Sequence, residues 1–158
     1  MQKDWIFTVE NSICDLRTVG VLIRDRKILV QRDRGGNEYA LPGGHVKIGE
    51  TLEDGLIREF KEETDADIKC IRLLWIEECF WEWNGKTAHS FTFYYQVALC
   101  DTDAIPDASE FVPHHDNDRV VLGWIPMDTL QDVTVYPEFL AREILCLDGV
   151  RKHFVSGV

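Results

Sequence analysis

The stretch from Pro42 to Asp65 constrains this chain more than any other. A Pro42-Gly43-Gly44 breaker is followed by a segment of helical period whose acidic residues gather on one side. Thr51 with Asp54 three residues on is a helix-start signature, because the hydroxyl accepts from an early backbone N–H and acids favour the positive helix end. The helix is expected to run from Thr51 to Thr64 or Asp65. At about 100° per residue, Glu59, Glu62 and Glu63 fall within an arc of about 100°, and Leu56, Ile57 and Phe60 take the adjoining arc. Such a helix packs on one side and concentrates negative charge on the other.

A solvated acidic face is the ordinary reading of a glutamate-rich helix, and the details here resist it. Glu59 and Glu63 stand at i,i+4, a like-charge pair that destabilises a helix by roughly 0.2–0.5 kcal/mol. Lys61 points away, and Arg58 offers the local relief, either to Glu62 at i,i+4 or to another acid such as Glu50. Carboxylates converging from one rigid turn suit hard cations such as magnesium, or manganese in its place. Gly43 and Gly44 carry no bulky side chain, so the backbone there can approach a phosphate or lend a carbonyl to an ion. Gly55 in mid-helix costs about 1 kcal/mol relative to alanine, a cost that close packing would justify.

Around this segment the chain reads as mixed strand and helix, which suggests a sheet covered by helices. Thr18 to Gln31 reads as a hairpin turning at Asp25-Arg26-Lys27, and Gly35-Gly36-Asn37 as a loop. Two further strands are expected over Ile68 to about Phe80 and over Thr87 to Leu99, joined at Asn84-Gly85. In the second, Phe91, Phe93, Tyr95, Val97 and Leu99 share a face. Asp101 to Arg119 reads as a long loop, Val120 to Ile125 as a strand, and Pro137 to Leu147 as a second helix with Phe139, Leu140, Ile144 and Leu145 as its apolar stripe.

With 158 residues, 45% of them apolar, and neither repeats nor a dividing linker, a single domain over 1–158 is expected. The formal net charge of −11 argues against binding a nucleic-acid polymer through its phosphates, whereas a small phosphorylated substrate remains accessible once metal masks the repulsion. Cys14, Cys70, Cys79, Cys100 and Cys146 show no metal-binding spacing and read as thiols in a reducing compartment. With no apolar leader and no membrane-length apolar run, a cytoplasmic protein with no membrane partner is expected.

The run from Gly44 to Ala66 resembles the Nudix box: Gly44, five residues, Glu50, seven residues, Arg58-Glu59, the hydrophobic Phe60, one residue, then Glu62-Glu63. Asp65 stands where that pattern has glycine and Ala66 is a small closing hydrophobe; aspartate tolerates a left-handed helix cap, so the geometry should survive. The hairpin, the Ala40-Leu41 approach and the Trp124-Ile125-Pro126-Met127-Asp128 segment look like the family's usual surroundings. The resemblance implies an α/β fold, an α/β/α sandwich around a mixed β-sheet, and magnesium-dependent hydrolysis of a nucleoside diphosphate linked to another moiety. It further implies that Glu59 and Glu63 are primary metal ligands, that Glu62 completes or bridges the site, and that Gly44 offers backbone beside the metal. Arg58 would orient the carboxylates by pairing with Glu50.

The general base is not fixed by the box. Glu59 and Glu62 are candidates on the helix; Glu110, His114 and His115 are candidates in the long loop, with Glu110 first because a carboxylate near metal is easily kept ionised. Phe80, Trp81 and Trp83 flank the Asn84-Gly85 turn, where they could stack on a substrate, fill a core or join two copies as a homodimer. His45, His89 and His153 read as structural or surface residues, and Arg32, Arg34 and Lys47 as cations that could meet phosphate but are ordinarily solvated. A damaged nucleoside triphosphate, a nucleotide sugar such as ADP-ribose and a dinucleoside polyphosphate are all open as substrates. A ligand-sensing domain without chemistry and an isomerase of diphosphates on the same fold are the rival functions.

Overall fold

A computed structural model describes residues 1–113 and 119–158. The chain order is β1 (Ile6–Val9), β2 (Ser12–Arg24), β3 (Lys27–Asp33), β4 (Glu38–Ala40), β5 (Gly43–His45), α1 (Leu52–Thr64), β6 (Ile68–Trp83) and β7 (Lys86–Leu99). There follow β8 (Val120–Pro126), a 3-10 turn over Met127–Asp132, β9 (Thr134–Tyr136), α2 (Leu140–Glu143) and β10 (Lys152–Ser156). The sheet is mixed and runs β10-β6-β7-β2-β3-β4-β9, with β1 and β5 also on β2 and β8 on β3. Parallel contacts join β2 to β7, β6 to β10 and β4 to β9, and the remaining pairs are antiparallel.

Both expected hairpins form. Asp25 and Arg26 both take positive φ, as do Asn84 and Gly85, which is the backbone a two-residue hairpin turn demands. Strand alternation then sends side chains to two cores. On one face α1 seats Leu56 and Phe60, both fully buried, against Leu22, Leu29, Tyr95, Val97 and Trp124. Each such side chain removed from water contributes roughly 1.5–3 kcal/mol. On the other face Val19, Val21, Ile28, Val30, Trp75 and Tyr94 are covered by Leu130 of the 3-10 turn and by Phe139, Leu140 and Ile144. The sheet therefore lies between helical layers, and the second layer is thin.

The expected second helix shrinks to Leu140–Glu143, because Pro137 follows directly on β9 and the residues around it bury themselves without a helical run. Leu145 stays 59% exposed and so leaves the apolar stripe. Ile57 likewise faces solvent, leaving Leu56 and Phe60 to carry the packing of α1. In β7, Tyr95 and Val97 are buried as expected, whereas Phe91 at the open end of the sheet is exposed. Strands β1, β4, β5, β9 and β10 have no counterpart in the sequence reading, and the Pro42-Gly43-Gly44 breaker leads directly into β5. No helix among the described residues is long and apolar enough to cross a membrane.

Candidate active site

Helix α1 begins and ends as its sequence requires. Thr51 Oγ accepts from Asp54 N at 3.1 Å, and Asp65 closes the helix in the left-handed conformation with φ 58°, its N–H donating to Lys61 O at 3.0 Å. Between these caps the helix places its carboxylates against β5, which antiparallel pairing with β2 holds in register.

Arg58 organises the acids. Its Nε donates to Glu50 Oε1 at 2.8 Å and its Nη2 to Glu50 Oε2 at 2.9 Å, a bidentate pair. Nη1 reaches Glu59 Oε1 at 2.6 Å and Glu62 Oε2 at 3.3 Å, and Nη2 also donates to the His45 carbonyl at 3.0 Å. Both alternatives for this arginine, Glu50 and Glu62, are realised together. The guanidinium and the Lys47 N–H hold the Glu50 carboxyl below the usual range against the opposing effect of partial burial.

Glu63 is in the opposite condition. Burial pushes its carboxyl up to about 7, the neighbouring Glu59 charge adds to this, and donation from the Gly43 N–H at 3.0 Å and from the Gln31 amide offsets only part. A Cβ on Gly44 would overlap the Glu59 carboxylate, so this glycine is what lets β5 backbone lie on the acid. Gly55 has a similar reason, since a Cβ there would come within 3.0 Å of Glu50 Oε2.

These donors fit a hard divalent ion. Glu59, held by Arg58, and Glu63, which among the described residues has no cation pairing with it, repel one another, and the buried Gln31 Oε1 next to Glu63 has no partner among the described residues, as suits an acceptor for metal-bound water. Among the described residues no three acidic, histidine or cysteine side chains close into a cage. An open edge is the arrangement magnesium uses when waters and substrate phosphates fill the remaining positions.

Of the other candidates, Glu62 lies at the exposed edge, 56% open, and tied to Arg58. Glu110 is bound to Arg32 at 2.6 Å, so it is not free to take a proton until that pair opens. Arg32 is accordingly neutralised and is no longer a solvated cation. His114 and His115 lie outside the described residues. Sequence reasoning missed the environment of Glu63, because Gln31 and Gly43 reach it only through strand register. His45, expected as a structural or surface residue, pairs through its Nε2 with the nearly buried Asp15 Oδ2 at 2.9 Å. His89 stacks on Phe80 with centroids 4.2 Å apart, and His153 pairs with Glu78 at 3.2 Å.

A sheet layered between helices, with this glycine-to-glutamate loop and helix on its edge, defines a protein class. The NUDIX domain model matches residues 15–142, and the chain belongs to the Nudix family. It is 41% identical over 58 residues to an ADP-ribose pyrophosphatase of Methanocaldococcus jannaschii, a match covering 35% of this chain and 34% of that protein. With Nudix hydrolase 5 of Arabidopsis thaliana it shares 27% identity over 114 residues, 68% of this chain and 34% of the relative. These matches span about a third of each relative's length. Among solved structures, an ADP-ribose pyrophosphatase from Streptococcus suis superposes with a TM-score of 0.61 at 19% identity, covering 89% of this chain and 98% of that one, and so shares the fold.

Proposed function

We propose that this chain is a magnesium-dependent pyrophosphohydrolase that cleaves the diphosphate linkage of a small nucleoside diphosphate-X substrate. The observation that carries this reading is the pair of adjacent carboxylates, Glu59 and buried Glu63, pressed against glycine backbone, with no cation among the described residues sufficient to relieve Glu63. A folded chain tolerates such a pair when a divalent ion offsets it.

Glu59, Glu63 and the exposed Glu62 are the proposed ligands, with the Gly44 backbone alongside. An ion held there supplies phosphate charge neutralisation and a water of lowered pKa. The side chains do the rest. Arg58 locks Glu50, Glu59 and Glu62 into one arrangement, so the carboxylates are preorganised and need not be gathered at each turnover. Glu62 is the carboxylate best placed to accept a proton from an attacking water, since it is open to solvent and held by a single 3.3 Å bond. Glu110 would serve only after release from Arg32.

Five free thiols support a reducing, cytoplasmic setting. Trp83, half exposed at the tip of the β6–β7 hairpin, supports contact between two copies, which sedimentation of the purified chain tests.

The function is tested by incubating the purified chain with ADP-ribose, deoxyadenosine triphosphate and diadenosine tetraphosphate, with magnesium and with chelator, in heavy-oxygen water. The reading expects magnesium-dependent release of a monophosphate or diphosphate product carrying the heavy oxygen. Turnover that persists undiminished in chelator contradicts it.

A further inference from the structure

On the face of the sheet that α2 covers, opposite the one that seats α1, lies a cavity of about 520 Å3. That is the size class of small-molecule pockets, roughly 300–1,000 Å3. Its floor follows from strand register. Val19, Tyr94 and Trp75 lie side by side across β2, β7 and β6 and form part of the apolar core. Two residues along each strand, the same face carries Arg17, Thr92 and Glu77 in a row, and then Ser90 beside Cys79. The core thus gives way to polar rows in the middle of a sheet, where Glu77, Thr92 and Ser90 are each at most 6% exposed. Burying such groups without need is costly, so polar residues recessed beneath an open cavity point to a ligand.

Two of these groups have unused capacity. Glu77 accepts from Tyr94 OH and from Ser156 Oγ, each at 2.6 Å, and among the described residues it makes no ion pair. An ionised carboxylate offers about four acceptor sites, so two hydroxyl donors leave roughly half of them for a ligand. Arg17 is half-buried on the cavity wall, and among the described residues its side chain has no hydrogen bond or ion pair. Its backbone pairs with His45 of β5, the strand against which the carboxylates lie, and its charge acts on both Glu63 and Tyr94. At the mouth Trp81 and Tyr136 present aromatic surface, 42% and 45% exposed. Trp81 is held by donation from its Nε1 to Ser90 Oγ at 3.3 Å, whereas the Phe80 ring is taken up by stacking on His89.

We propose that this cavity seats the nucleoside part of the substrate, with Arg17 on a phosphate, Trp81 against the base, and Glu77 accepting hydrogen bonds from hydroxyl or amino donors of the nucleoside. The inference deepens the hydrolase reading and rests on it for the position of the phosphates. An acceptor-only group at the floor selects a donor-bearing ligand, and discrimination is strong because a ligand without the donor leaves the carboxylate desolvated and unpaired. Arg17 supplies the cation that the glutamate-rich edge lacks and suits a phosphate by its forked geometry.

The test uses Arg17→Gln, Glu77→Gln and Trp81→Phe in the full chain, assayed with magnesium against ADP-ribose, UDP-glucose, deoxyadenosine triphosphate and diadenosine tetraphosphate. For whichever compound the wild type turns over fastest, Arg17→Gln and Glu77→Gln should each raise KM about tenfold or more, with a smaller change in kcat. Ligand-induced quenching of tryptophan fluorescence in chelator should be lost in Trp81→Phe. Replacing adenosine by inosine in the ligand then assigns the donor: a Glu77→Gln penalty that disappears belongs to the base amine, and one that persists belongs to a hydroxyl. Among the described residues the Arg17 side chain has no hydrogen-bond or ion-pair partner to lose, so its variant keeps the test meaningful should Glu77→Gln fold poorly. KM within about twofold of wild type in folded variants overturns the proposal. If the wild type turns over none of these compounds, the hydrolase reading fails separately. The cavity is then judged by quenching in chelator alone: quenching lost in the variants supports it, and no response of the wild type to any compound overturns it.

Discussion

Arg58 grips Glu50 through two parallel hydrogen bonds of 2.8 and 2.9 Å, and it is this pair that ties the loop after β5 to the helix that follows. A lysine offers a point charge and cannot reproduce the fork. Arg58→Lys is therefore expected to lower stability by about 2 kcal/mol, the scale of hydrogen bonds to charged groups, and to cut turnover by about a hundredfold as Glu59 and Glu62 lose their common anchor. Urea denaturation and steady-state kinetics check both.

Two of the glycines that neighbours approach closely, Gly44 and Gly55, separate structure from chemistry. Gly55→Ala in an ordinary helix would stabilise by about 1 kcal/mol. Here the added Cβ meets Glu50 Oε2 at 3.0 Å, and the gain is expected to vanish. Gly44→Ala drives a methyl into the Glu59 carboxylate, so activity should fall about a hundredfold or more while the melting transition stays cooperative. Thermal melts and rate assays of the pair decide this.

At the end of α1, Asp65 holds φ 58°, a conformation that costs a residue with a Cβ roughly 1 kcal/mol. Asp65→Gly removes that cost at the expense of the side chain's surface interactions, among them the exposed 3.3 Å ion pair with Lys61, worth a few tenths. A net stabilisation of about 0.5 kcal/mol is expected, read as an upward shift in Tm.

Burial, with help from Glu59, raises the folded-state value of Glu63 to about 7, above the 4.5 of a free glutamate side chain. The folded chain binds that proton more tightly than the unfolded chain. Its contribution to stability is present at low pH and lost as the pH climbs from about 4.5 to about 7. Without metal, the protein is expected to melt higher near pH 5.5 than near pH 8; magnesium, which needs the ionised carboxylate, should raise Tm more at the higher pH. A thermal melt series in chelator and in magnesium measures both slopes.

Much of this arrangement was legible in the sequence because it rests on local chemistry. The Thr51 cap, the left-handed Asp65, the two hairpin turns and the carboxylate arc each follow from residue type and period. Even the unexplained Gly55 pointed to close packing, and the structure supplies Glu50 as the neighbour. Contacts between distant parts of the chain were not legible. Strand β10 adds to β6 with Lys152 opposite Trp75, a pairing that no pattern in either segment announces. Arg17, Thr92 and Glu77 meet only through the registers of three strands, and Gln31 finds Glu63 by the same route. The second helix was overread because Phe139, Leu140 and Ile144 have helical spacing, yet β9 and the packing beneath them leave a single turn.

The central claim is that Glu63 matters for the charge it contributes beside Glu59 and not for packing. Its most direct test is the magnesium-supported turnover of Glu63→Gln, an isosteric change that keeps an acceptor for the Gly43 N–H. The account predicts a loss of about a hundredfold or more with a melting transition, measured in chelator, no lower than wild type's. Wild-type turnover in this variant would contradict it.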